Sequence, residues 1–274
     1  DNLLEVAEEE GTLGIVSAML PADKDRRQRL ASLWSRGVWQ MRFLESLGKR
    51  LAALGLEVIA LKGAALLPTV YGDDAMLRPM GDIDLMAHPQ DLPQVREILE
   101  ELEQQAALPV IDLHTRLLDT RRVPSRALLL PDEAGLWDRS RPWRPGIRHL
   151  APEDQFLHLC LHAIKHSCCR LIWVVDLALA LRLCRPERLP VHNPTLRLAV
   201  HLVRAFFPSV RLPFAPPPLS WLERLTLKVA RRHRVGPVWG ELFLALSMEG
   251  PVNKLVYLWE YLFLGEEIVT ESGF

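Results

Sequence analysis

Three aspartates, a lysine-glycine pair and an arginine stand at spacings that suit phosphoryl chemistry. Asp82 and Asp84 are two apart, and residues two apart in a strand project from the same face. Two carboxylates aimed at one point repel each other. A hard divalent cation such as Mg²⁺ relieves that repulsion by taking their oxygens as ligands. Asp112 alternates with apolar neighbours in Val110-Ile111-Asp112-Leu113-His114 and is expected to add a third oxygen. Three carboxylates suit a pair of ions that activate an attacking hydroxyl and stabilise leaving pyrophosphate.

Lys62-Gly63 ends an apolar, β-branched run and precedes a helical stretch. Free backbone N–H groups and the positive helix end favour phosphate at such a turn, and glycine lets the backbone come close. Lys62 adds a point charge. Arg78, four residues before Asp82, is the next phosphate candidate, and Gly81, directly before Asp82, completes the nucleotide-binding set. A D-x-D pair alone also fits a half-exposed edge strand. The upstream Lys-Gly turn, the preceding glycine and the third aspartate on a separate strand distinguish this one.

The elements that must position these groups are legible in the pattern. Leu30, Leu33, Trp34, Val38, Met41, Leu44, Leu47, Leu51 and Leu54 recur at helical spacing, predicting a long amphipathic helix that ends near Gly55. Residues 56–61 read as a buried strand, 64–70 as a helix, 71–80 as a loop, 81–86 as a strand, 89–105 as a helix and 110–114 as a third strand. This order predicts a small mixed α/β sheet. A proline- and arginine-rich passage, 121–148, reads as a connection. Helices are then expected at about 152–167, 171–184, 195–207, 218–233, 238–247 and 253–263. The expected organisation is an N-terminal helical segment (1–55), an α/β core (56–150) and a C-terminal helical domain (151–274).

Within the helical half, His158, His162 and His166 recur every four residues along one helix face, with Cys169 a turn further on. A metalloprotease helix needs Glu after its first His, and Leu159 stands there. The histidines are read as an interdomain face in preference to a zinc site, which stays the alternative, with His162 and His166, like His114, facing the cleft. Trp137, Trp143, Trp173, Trp221, Trp239 and Trp259 are expected to fill the helical core or a domain interface. Tyr71 is expected as a packed loop aromatic, and Arg231-Arg232-His233-Arg234 as a solvated helix end.

Composition narrows the class of function. Thirty-three Lys and Arg nearly balance 34 Asp and Glu, so no global field of one sign draws the chain to nucleic acid or anionic membrane. The apolar stretch 171–181 is interrupted by Asp176 and is too short to span a bilayer. No charged start followed by an apolar run and a small-residue cleavage site opens the chain. Cys160, Cys168, Cys169 and Cys184 lack the spacing of a secreted disulfide framework. The expectation is a cytoplasmic protein with reduced thiols and no membrane partner.

At these residues the chain resembles the nucleotidyltransferase superfamily that includes DNA polymerase beta. More narrowly, Leu61-Lys62-Gly63-Ala64-Ala65-Leu66, Tyr71-Gly72 and Leu77-Arg78-Pro79-Met80-Gly81-Asp82-Ile83-Asp84-Leu85 are similar to a bacterial family known as uncharacterised nucleotidyltransferases. The resemblance continues through Asp112-Leu113-His114 and through 152–181, where His158, His162, His166 and Asp176 match. It implies a nucleotidyltransferase core with a helical companion domain, Mg²⁺ or Mn²⁺ as cofactor, and a nucleoside triphosphate, ATP among them, as donor. Some members are encoded beside genes for ribosomally made peptides, lasso peptides included, which implies peptide tailoring as one role. The nineteen positions from Gly63 to Asp82 exceed the spacing in the superfamily's familiar members, which carry glycine-serine at this turn.

The leading expectation is therefore a transferase that moves a nucleoside monophosphate onto a peptide or small-molecule acceptor. The near-neutral charge favours such an acceptor over RNA, because binders of the phosphate backbone carry a basic stripe. The alternatives are a toxin-like enzyme that modifies transfer RNA through a groove of Arg121, Arg122, Arg126, Arg139 and Arg141, and a non-catalytic nucleotide- or partner-binding module of the same fold.

Overall fold

Every residue of the short β-branched run that forms β1 (Val58–Ala60) is buried, as a strand at the centre of a sheet requires. In this computed structural model, which describes residues 2–20, 24–72, 74–105, 107–130, 132–231 and 238–264, β1 is the middle strand of five. The order is β3-β2-β1-β5-β4, with β2 Ile83–Ala87, β3 Ile111–His114, β4 Arg141–Arg144 and β5 Ile147–His149. β1 runs antiparallel to β2 and parallel to β5, while β2 and β3 are parallel. This is the mixed sheet expected of an α+β core.

Before the sheet come α1 (Asn2–Glu9), α2 (Leu13–Ala18) and the long α3 (Lys24–Ala53). The apolar stripe of α3 buries Leu44, Leu47 and Leu51 with Val58, Ile83, Leu85 and Ile147. Between strands run α4 (Lys62–Val70) and α5 (Leu92–Gln105), the latter contributing Val95 and Ile98 to the same core. The chain folds as two compact units. One is Asp1–Thr115 with Gly135–Ala151, and the other is Arg116–Ala134 with Pro152–Phe274.

The passage read as a connection is more structured than expected. It holds a 3-10 turn (Pro124–Leu129), a one-turn α6 (Leu136–Arg139) and the β4–β5 hairpin. Pro142 and the flanking arginines hid β4, since proline inside a run argues against a central strand; β4 is instead an edge strand. The turn depends on Gly146, whose φ is +66° and whose added Cβ would lie 2.4 Å from the Gly48 carbonyl oxygen of α3. Only glycine meets both demands.

The second unit contains α7 (Pro152–Lys165), α8 (Leu171–Ala180), α9 (Pro194–Phe206), α10 (Trp221–Ala230), α11 (Val238–Ser247) and α12 (Pro251–Phe263). Asn193 caps α9 and Ser220 closes a capping box with Glu223 on α10, satisfying N–H groups that a helix start leaves unpaired. The segment carrying the 3-10 turn is tied to α11 and α12. Buried Arg126 makes two hydrogen bonds to Glu241, at 2.7 and 2.8 Å, and Tyr257 donates to the same carboxylate at 2.5 Å. Among the described residues no helix is long and apolar enough to cross a membrane.

The tryptophans depart from expectation. Trp221, Trp239 and Trp259 are exposed rather than packed, at 67%, 42% and 55%. Trp221 and Trp239 stand in the first turn of their helices and Trp259 on an apolar outward face, so helical periodicity alone did not say which of them meet the core. Tyr71 is buried in its loop as expected. All four cysteines are free thiols, and burial pushes Cys168 and Cys184 up to about 12, which makes them packing residues rather than nucleophiles.

Candidate active site

The sheet register brings two of the aspartates together. Asp84 on β2 stands directly opposite Asp112 on β3. Neighbouring strands lie about 4.8 Å apart, so the paired side chains share a face. Asp84 is buried, whereas Asp112 is exposed at the sheet edge. His114, two residues beyond Asp112 and therefore on the same face, places Nε2 3.2 Å from Asp84 Oδ1 and 3.1 Å from Asp112 Oδ2.

Lys62 approaches from the other side. It follows β1 in the left-handed region, with φ of 45°, a conformation that costs energy for a residue with a Cβ and marks sites where the fold holds a side chain in place. The Leu61 N–H donates to the Asp84 carbonyl at 3.0 Å, and Lys62 Nζ donates to Asp84 Oδ1. Gly63 lies under Met80, where an added Cβ would come within 2.7 Å of Cγ and 3.7 Å of an Arg78 Nη1. Arg78 is buried and donates to the Pro79 carbonyl at 2.7 Å.

The charges respond to one another. Burial alone would lower the His114 pKa, but its bonds to Asp112 and Asp84 outweigh burial and push it up to about 9. Facing the two carboxylates alone, His114 is held as an imidazolium whose Nε2–H they share, and a metal ion bound by this nitrogen would displace that proton. Burial disfavours the Asp84 charge, yet the bonds from His114 and Lys62 hold its carboxyl below the usual aspartate value. Asp112 is held low chiefly by its bond to His114. Asp82, exposed just before β2 begins, moves the other way: desolvation raises it, and the negative charge of Asp84 adds to the rise.

Asp84, Asp112 and His114 each offer a ligand atom within 4.8 Å of the others, the one such group among the described residues. Two carboxylates with one imidazole fit a divalent ion, the oxygens being the donors Mg²⁺ and Mn²⁺ take. Asp82 lies outside that group, although close enough to feel both charges. Gly81 precedes it in open space. His114 has a larger part than sequence reasoning allotted to it. The signal was the D-x-H alternation, which sets the imidazole on the carboxylate face.

His162 and His166 lie in the second unit, at the end of α7. Their rings sit 4.7 Å apart and 4.9 and 5.4 Å from Trp173. Arg126, one of five arginines proposed to line a basic groove, is withdrawn from solvent into its pair with Glu241. Arg231 is exposed after α10, while Arg232, His233 and Arg234 lie outside the described residues.

Residues 1–188 match the family described as uncharacterised nucleotidyltransferase. Neither the curated proteins nor the solved structures gave a match.

Proposed function

Because this chain belongs to the uncharacterised nucleotidyltransferase family, we propose that it transfers a nucleoside monophosphate from a nucleoside triphosphate to an acceptor hydroxyl or phosphate at the Asp84 site. The observation that carries this reading is the in-register pair Asp84 and Asp112, bridged by His114 and met by Lys62 from the strand-to-helix turn. Carboxylates, a cation from a Lys-Gly turn and a buried arginine beside it supply what a triphosphate and its metal require.

Asp84, Asp112 and His114 are the residues to hold a Mg²⁺ or Mn²⁺ ion, with Asp82 at the mouth of the site. A bound ion would neutralise phosphate charge and acidify an acceptor hydroxyl. Lys62 exchanges its bond to Asp84 for the triphosphate, and Gly81 leaves room for phosphate against the backbone, while the absent side chain of Gly63 makes room for Met80 over the turn. Arg78 supports the same turn. The acceptor oxygen forms its bond to the α-phosphorus as the bond to pyrophosphate breaks, and the acceptor proton passes to a site carboxylate or water.

A peptide or small molecule is the favoured acceptor. Positive and negative side chains nearly cancel, and the burial of Arg126 removes one member of the basic set on which a transfer-RNA substrate would depend.

Calorimetric titration of each of the four nucleoside triphosphates, with and without Mg²⁺ or Mn²⁺, tests the reading on wild type and Asp84→Asn. Metal-dependent binding that disappears in the variant supports it. Absence of binding to the wild-type protein overturns it in favour of a non-catalytic module.

A further inference from the structure

The last described helix is apolar on its outer side. Val252, Leu255, Val256, Trp259, Leu262 and Phe263 of α12 are exposed, Trp259 at 55% and Phe263 at 67%. They recur at the i, i+3, i+4, i+7 spacing of one helix face. Tyr257, Lys254 and Glu260 of this helix bond within their own unit instead. Tyr257 is buried against Glu241 and Arg126, Lys254 donates to the carbonyls of Leu246 and Met248, and Glu260 accepts from the Ser125 N–H at 2.8 Å. The outward face is left without a charged residue.

We infer that this face is the seam of a homodimer, formed by two copies of α12 packed antiparallel about a two-fold axis at Trp259. Three things select a second copy as the occupant. From Leu255 to Phe263 the stripe is symmetric about Trp259, with Leu255 and Val256 four and three residues before it and Leu262 and Phe263 three and four residues after it. An antiparallel partner therefore sets Leu255 against Phe263 and Val256 against Leu262, twice each, as an isologous interface requires. The exposed stripe, with Leu264 at its end, amounts to on the order of 700 Å², close to the ~800 Å² per partner of a standard stable interface. Its centre is aromatic and uncharged, the composition of an interface core.

A membrane surface is the weaker occupant. Interfacial helices flank their apolar face with Lys and Arg that meet anionic headgroups. The single lysine of α12 is committed to two carbonyls of its own unit.

Sedimentation equilibrium of the full chain, from micromolar to hundred-micromolar protein, tests the seam. The expected mass is twice that of the chain. Trp259→Glu brings two carboxylates together at the axis and raises the dimer dissociation constant by more than ~100-fold, as loss of a central aromatic anchor does. Leu255→Lys and Phe263→Glu each weaken the dimer alone. Combined, they pair across the axis twice and return the constant to within about tenfold of wild type. All of these positions are exposed, so matching circular dichroism melts verify that the variants fold. The seam is overturned by a wild-type protein of single-chain mass throughout, with or without flotation on phosphatidylcholine and phosphatidylglycerol vesicles. It is equally overturned by a Trp259→Glu protein that stays dimeric, or by a double variant no tighter than its parents.

Discussion

Asp84 and Asp112 occupy paired positions on adjacent parallel strands, and one histidine nitrogen bonds to both. In the proposed site this makes His114 a ligand of equal rank with the aspartates. Asp84→Asn, Asp112→Asn and His114→Ala are each expected to weaken Mn²⁺ binding, read by electron paramagnetic resonance, by about 100-fold or more, since even changes behind a ligand cost 10–100-fold. Wild-type affinity in His114→Ala would restrict the site to the aspartates.

Gly63 and Gly81 make a matched pair of probes. Gly63→Ala drives a methyl to 2.7 Å from Met80 Cγ, and overpacking of this kind costs about 1–3 kcal/mol. Gly81→Ala meets nothing within 4 Å, so stability stays within about 0.5 kcal/mol of wild type. Its effect is expected on nucleotide affinity instead. Urea unfolding and calorimetric titration separate the two outcomes. A strongly destabilised Gly81→Ala protein would show that this glycine serves the fold.

Arg126 and Glu241 form a buried ion pair shared with Tyr257. Removing one member strands the other charge, so Arg126→Met is expected to lower stability by about 3–5 kcal/mol, and Arg126→Met with Glu241→Leu to recover most of that loss. Chemical unfolding of the three proteins is the check. Additive losses in the double variant would mean that the two residues act independently.

Glu223 predicts an acid-side change in stability. Burial raises its pKa, but bonds from the Ser220 backbone and side chain and from Arg197 outweigh burial and hold it below the ordinary glutamate value. A lowered folded-state pKa contributes stability that is complete above the unfolded value of ~4.3 and is lost as pH falls through the lower folded value. Glu223→Gln keeps a capping-box side chain without the charge. The gap in melting temperature between wild type and this variant is expected to be constant above about pH 5.5 and to close on acidification below about pH 4. A gap that widens in acid contradicts the assignment.

Much of this molecule was legible locally. The spacing of Leu44, Leu47 and Leu51 marked the buried face of α3, the β-branched run marked β1, and the period-2 pattern put Asp112 and His114 on one face, because each of these signals lies within a few residues of chain. The lysine-glycine turn and the strand carrying Asp84 were visible for the same reason, although Asp82, expected on that strand, falls just before it. Tertiary structure alone decided that β2 pairs with β3 in the register that opposes Asp84 to Asp112, that Lys62 reaches Asp84 from twenty-two positions upstream, and that Arg126 is buried while Trp221, Trp239 and Trp259 are exposed. Those outcomes depend on which distant segments meet. A chain reveals its periodicity and turn chemistry residue by residue, but strand register, burial and charge pairing are settled only where remote parts compete for the same space.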